Sequence, residues 1–138
     1  MTSVALVRVT PDQLDKADAF WLERLRERMY DAPSASELGM AIASGRLMIW
    51  RVVGAKSSGN VALQVVQSHQ GAELIVYGLA GSWLLPFIAD IFEKIKDIAQ
   101  LYDCRWITTA TEIPQLSYKM EKAGFPQVGV LHRYELGA

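Results

Sequence analysis

Three consecutive apolar runs dominate the middle of the chain: RLMIWRVV (Arg46–Val53), VALQVVQS (Val61–Ser68) and ELIVYG (Glu73–Gly78). Only the turn-rich clusters AKSSGN and HQGA separate them. Short runs rich in Val and Ile, bounded by Gly, Ser and Asn, read as strands, and turns this short make neighbours antiparallel. A helical pattern follows. Phe87, Ile88, Ile91, Ile95 and Ile98 fall on one face, with Glu93, Lys94, Lys96 and Asp97 on the outer side. CRWITTAT, from Cys104, then reads as another strand. A strand, a helix and a strand in succession form a crossover that lays its strands parallel. The chain is thus committed to a mixed sheet.

The flanking segments complete the plan. VALVRV (Val4–Val9) reads as a first strand. Thr10-Pro11-Asp12-Gln13 is a helix start, with Thr10 as cap, Pro11 in the first helical position and Gln13 closing a capping box. Leu14, Ala17, Trp21 and Leu25 continue at helical spacing to about Met29. Ser34 and Glu37 form a second box, for a shorter helix that stops at Gly45. Asn60 reads as the hairpin residue before Val61. Pro86 would break a hydrogen bond deep in a helix, so regular helix is expected from near Leu85 to Leu101, and Gly78 to Leu84 as a loop. Pro114–Ala123 reads as a helix closed by Gly124, and Val128–Leu136 as a single last strand. The order β-α-α-β-β-β-α-β-α-β predicts one α/β domain over residues 1–138, with a mixed sheet of about six strands and helices packed on its faces.

Composition excludes several classes. A chain of 138 residues suits a single core. Its net charge of -1 gives no general field for nucleic acid or an anionic membrane, so neither is expected as a partner. No basic, apolar leader stands at the start, and no apolar run approaches the roughly 18 residues of a spanning helix. Cys104 is the one cysteine, so no internal disulfide forms, and the cytoplasm is the expected compartment. Two histidines and one cysteine, far apart, argue against a metal site.

With this order of elements, the segment MEKAGFPQVGV (Met120–Val130) resembles the helix-to-strand ending of the GNAT superfamily of acetyl-coenzyme A-dependent N-acetyltransferases. The resemblance covers essentially the whole chain. It implies a GNAT-like fold with acetyl-CoA as cofactor. In that family a loop of the form Q/R-x-x-G-x-G/A, before the long helix, binds the cofactor pyrophosphate through backbone N–H groups and the helix dipole. The matching segment here begins at Ile75, which assigns Gly78, Leu79, Ala80, Gly81 and Ser82 to the cofactor. The sequence departs from the pattern in four places. Ile75 stands where the family has Gln or Arg, and nothing basic lies between Ala72 and Glu93. Met120 replaces the tyrosine that protonates the departing thiolate, and Tyr118 lies about 200° around the helix. Pro86 removes an amide donor near the helix start. The family's final hairpin is read here as one strand. In size and in these losses the chain is similar to short GNAT-like proteins of tailed phages and prophages, some associated with virion interiors or head assembly.

Individual side chains extend this picture. Glu73 is the candidate general base and Tyr77, on the same strand face, the candidate acid. Each also fits a plainer role, as a solvated strand-edge carboxylate and a half-buried sheet tyrosine. His69 reads as a turn residue, His132 as a core-edge histidine and Cys104 as a buried thiol. The helix charges Glu23, Arg24, Arg26, Glu27 and Arg28 interleave in sign, which marks a solvated face. Trp83, Leu84 and Leu85 exceed what the following helix needs for its own apolar stripe, and are assigned to contact with a protein partner or a second copy of the chain. Two functions follow: a non-catalytic accessory or virion-assembly protein of the phage type, or an active N-acetyltransferase on an unidentified amine.

Overall fold

The structure, a computed structural model, describes residues 3–29, 32–110, 127–128 and 131–135. Strand β1 (Ala5–Val9) leads to helix α1 (Lys16–Arg28) and helix α2 (Ala35–Ala43). Strands β2 (Met48–Val53), β3 (Ser58–Ser68) and β4 (Gly71–Ser82) form the meander. Helix α3 (Ile88–Leu101) crosses to β5 (Cys104–Ala110), and β6 (Gln127–Val128) and β7 (Leu131–Glu135) complete a seven-stranded sheet of order β1-β2-β3-β4-β5-β7-β6. Among the described residues only β4 and β5 pair in parallel. The mixed sheet with helices on both faces is the architecture the sequence predicts.

Each sheet face has its own core. On one, Trp50, Leu63, Leu74 and Ile107 meet Ile91, Phe92 and Ile95 of α3. On the other, Ile49, Ala62 and Ala80 meet Leu22 and Leu25 of α1 and Leu38 and Ile42 of α2. The amphipathic stripe read for α3 is therefore its buried face. In α1 the stripe includes Leu22, which the spacing Leu14-Ala17-Trp21-Leu25 omits.

Several boundaries differ from the expected ones. Thr10 and Gln13 do form a capping box, but it encloses only a 3-10 turn, Pro11–Gln13. The true start of α1 is a second box in which Asp15 and Asp18 exchange side-chain-to-backbone hydrogen bonds at 2.9 and 3.0 Å. Before α3 a 3-10 turn (Leu85–Phe87) absorbs Pro86, so α-helix begins at Ile88 and not near Leu85. The segment from Gly78 to Ser82, expected as loop, is strand, because every residue of it finds a partner on β3. Asn60 is not a turn residue. It is fully buried inside β3 opposite Arg51. The end of the chain carries two strands rather than one, since Val128 pairs antiparallel with Leu131. The expected helix Pro114–Ala123, with Tyr118 and Met120, lies outside the described residues.

A polar clamp fixes α1 to the sheet. Asp18 is buried, and its carboxylate accepts hydrogen bonds from Arg51 Nε at 3.1 Å and Nη2 at 2.5 Å and from Asn60 Nδ2 at 3.0 Å. Burial pushes the Asp18 carboxyl up, but the hydrogen bonds from Arg51, the Asp15 N–H and Asn60 outweigh it and bring its pKa down to about 2.

Candidate cofactor cleft

A β-bulge shapes the functional end of β4. Ala62 of β3 faces Gly78, but Leu63 faces Val76, so Tyr77 is an extra residue. Tyr77 and Gly78 consequently both point toward α1. Tyr77 packs against that core, and a Cβ on Gly78 would stand 3.0 Å from Leu25 Cγ. The last parallel partner that β5 offers to β4 is Thr109, opposite Val76. Beyond that point β4 continues to Ser82 along β3. Among the described residues the parallel ladder stops at Val76, and the β5-facing edge of Tyr77–Ser82 has no strand partner.

A cleft of about 300 Å³ lies at this junction, lined by Leu79, Gly81, Leu84 and Ile88, with Trp83 and Arg28 at its sides. Gly81 is required there by packing. A Cβ at this position would lie 2.2 Å from the Ser58 carbonyl oxygen and 2.7 Å from Leu84 Cδ1. Leu84 is buried in the α3-side core, whereas Trp83 and Leu85 are 60% and 49% exposed. Of the three residues assigned to partner contact, the structure leaves those two at the surface.

The charge of the cleft comes from distant segments. Of the arginines late in α1, Arg24 stacks over Phe20 and Arg26 pairs with Glu23, while Arg28 reaches the cleft. Lys56, in the β2–β3 turn, places its Nζ 5.7 Å from the centre of the Trp83 ring. Local sequence signals neither residue: Arg28 reads as part of a solvated face, and Lys56 as part of a turn. Asp90, in the first turn of α3, sends Oδ2 to the Val4 N–H at 2.9 Å. It complements the helix dipole and ties α3 to the edge of the sheet.

The candidate catalytic pair is on the sheet face toward α1. Glu73 Oε2 accepts the Thr108 hydroxyl at 2.8 Å across the β4–β5 ladder. The Tyr77 hydroxyl donates to Gln64 Oε1 at 2.7 Å. Sequence spacing points to neither Thr108 nor Gln64, because each becomes a partner only through cross-strand register. His69 is an exposed turn residue, and His132 is in β7 opposite Thr109. Cys104 is buried, and its thiol is pushed up by burial, then by the charges of Asp103 and Glu73. Among the described residues no group of three His, Cys, Asp or Glu is arranged to hold a metal, and no helix is long and apolar enough to cross a membrane.

No family model matches the chain. No curated protein matches it by sequence. Its structure is similar to that of a tyrosine-to-phenylalanine mutant of the toxin AtaT, solved bound to acetyl-CoA and to the C-terminus of the antitoxin AtaR. The TM-score is 0.52 at 9% identity, over 98% of this chain and 93% of that one. At that identity the likeness speaks for backbone architecture. The meander, the bulged β4 and the crossover through α3 together give this chain a GNAT-like α/β fold.

Proposed function

We propose that this chain binds acetyl-CoA in the cleft between β4 and α3 and transfers the acetyl group to an amine. The observation that carries this reading is the end of the β4–β5 ladder at Val76 among the described residues, with Arg28 lining the cleft beside it. An extended acyl-pantetheine arm needs a strand edge with N–H and C=O groups to pair with, and among the described residues the Tyr77–Ser82 edge has no strand partner on its β5 side. Arg28 supplies the positive charge for a pyrophosphate that the β4 sequence lacks. The structural neighbour's bound acetyl-CoA supports the same ligand.

Glu73, oriented by Thr108, takes the proton of the acceptor amine. The amine nitrogen attacks the thioester carbonyl, a C–N bond forms and the C–S bond breaks. The thiolate leaves and takes a proton from the Tyr77 hydroxyl or from water. Gln64 holds the Tyr77 hydroxyl in place for that step. The lone thiol fits a reducing cytoplasm.

A second reading keeps the fold and drops the chemistry: an accessory or assembly protein, of the phage type or a homo-oligomer, acting through Trp83 and Leu85. The exposure of these two large apolar residues side by side supports it. So does the neighbour's antitoxin segment, which speaks for a protein partner.

Calorimetric titration with acetyl-CoA separates the two readings. Micromolar binding, weakened about tenfold or more in Arg28→Glu, is expected. Thiol release with an amine panel should then fall in Glu73→Gln at unchanged cofactor affinity. No heat at millimolar cofactor removes the first reading and leaves the second. Gly81 is not a useful probe, because any side chain there collides with Ser58 whether or not a ligand binds.

A further inference from the structure

Trp83 is held in an unusual way. Its φ is 58°, a left-handed conformation that residues with a Cβ rarely adopt. Such a conformation persists only where the surroundings dictate it. Here Ser57, itself buried, donates its hydroxyl to the Trp83 carbonyl oxygen at 2.7 Å. This bond locks the turn, and Leu84 and Trp83 then separate: Leu84 enters the core and the indole turns outward at the side of the cleft. The indole stays 60% exposed, with the Lys56 ammonium 5.7 Å from its ring centre. Hydrophobic burial does not explain a large aromatic fixed in this position. An exposed ring beside a cation is, however, a stacking platform for a nucleobase, and the cation faces the phosphate carried by the same nucleotide.

We infer that Trp83 and Lys56 form a nucleotide subsite, in which a purine ring stacks on the indole and Lys56 pairs with a nucleotide phosphate. The subsite rests on the acetyl-CoA reading above and deepens it. It makes Trp83 a specificity-determining residue for the nucleotide end of the cofactor, distinct from Arg28 in the cleft.

Three probes test it: coenzyme A, 4′-phosphopantetheine, which lacks the nucleotide, and ADP, which lacks the pantetheine arm. Binding is read by calorimetry on the full chain, with Trp83→Phe, Trp83→Ala and Lys56→Ala variants. Base-stacking magnitudes put the expected loss for coenzyme A and ADP in Trp83→Ala at about tenfold or more. Phosphopantetheine affinity should fall several-fold less than coenzyme A affinity in Trp83→Ala, and Trp83→Phe should retain most of the affinity. Lys56→Ala should weaken both nucleotides, with a smaller effect at high salt. Matching melting temperatures for Trp83→Ala and the parent chain rule out misfolding as the cause. Equal coenzyme A affinity in parent and Trp83→Ala overturns the subsite and leaves the acetyl-CoA reading intact. No binding of any probe overturns both.

Discussion

Removing the Asp18 carboxylate tests whether the polar clamp, rather than apolar contact alone, holds α1 on the sheet. In Asp18→Ala the Asn60 amide, fully buried, loses the partner of its Nδ2, and its Oδ1 already has none among the described residues. Arg51 loses two charge-assisted hydrogen bonds, but its side chain is 33% exposed and regains part of its hydration. Breaking a buried pair costs about 3–5 kcal/mol, and the exposure of Arg51 puts this case near the lower end. With a urea dependence of roughly 1.5 kcal/mol per molar for a domain of this size, the midpoint should fall by about 2 M at unchanged slope. The pH dependence checks the cause. The folded-state pKa of Asp18 is about 2, down from 3.8, so the ionised form is favoured by folding. Its contribution is complete above about pH 4 and is lost as pH falls through about 2, amounting to roughly 2 kcal/mol. The stability gap between parent and Asp18→Asn should therefore narrow over that window. A midpoint shift below about 0.5 M at pH 7, or a gap that does not change on acidification, would refute the argument.

Other perturbations follow from equally local geometry. Gly81→Ala should destabilise the ligand-free chain by about 2 kcal/mol or more in thermal melting, because its Cβ would meet the Ser58 carbonyl at 2.2 Å. Gly45, at φ 78°, ends α2, and Gly45→Ala should cost about 1 kcal/mol in the same assay. Cys104 should react with a thiol reagent at pH 8 far more slowly than a free cysteine, and match it only after denaturant is added, since burial and two nearby carboxylates disfavour its thiolate.

The sequence discloses the sheet because its strands are bounded by turn chemistry that acts over a few residues. It discloses α3 because Ile91, Ile95 and Ile98 repeat with the helical period. It fails where a residue's role depends on a partner far along the chain. Asn60 reads as a turn amide, and nothing in its neighbourhood of sequence points to Arg51 or Asp18; only folding joins the three into one buried unit. Arg28 is an ordinary surface arginine by pattern, yet it charges a cleft whose own strand carries no cation. The capping boxes show a second kind of limit. Thr10-x-x-Gln13 and Asp15-x-x-Asp18 both form, and local rules do not say which of them opens the longer helix.

The extra residue at Tyr77 acts as a phase shift in β4. Before it, the even-numbered Leu74 and Val76 face α3; after it, the odd-numbered Leu79 and Gly81 do. One peptide unit thus lets a single strand serve two incompatible registers, the first set by the hydrophobic core and the second by the cleft. Ironing out the bulge, with Tyr77 paired in the ladder, would leave the lower half of the strand untouched and invert the upper half, turning Ala80 into the cleft and driving Leu79 against Leu25. The coding frame of the cleft is therefore set by a residue that is not part of its lining.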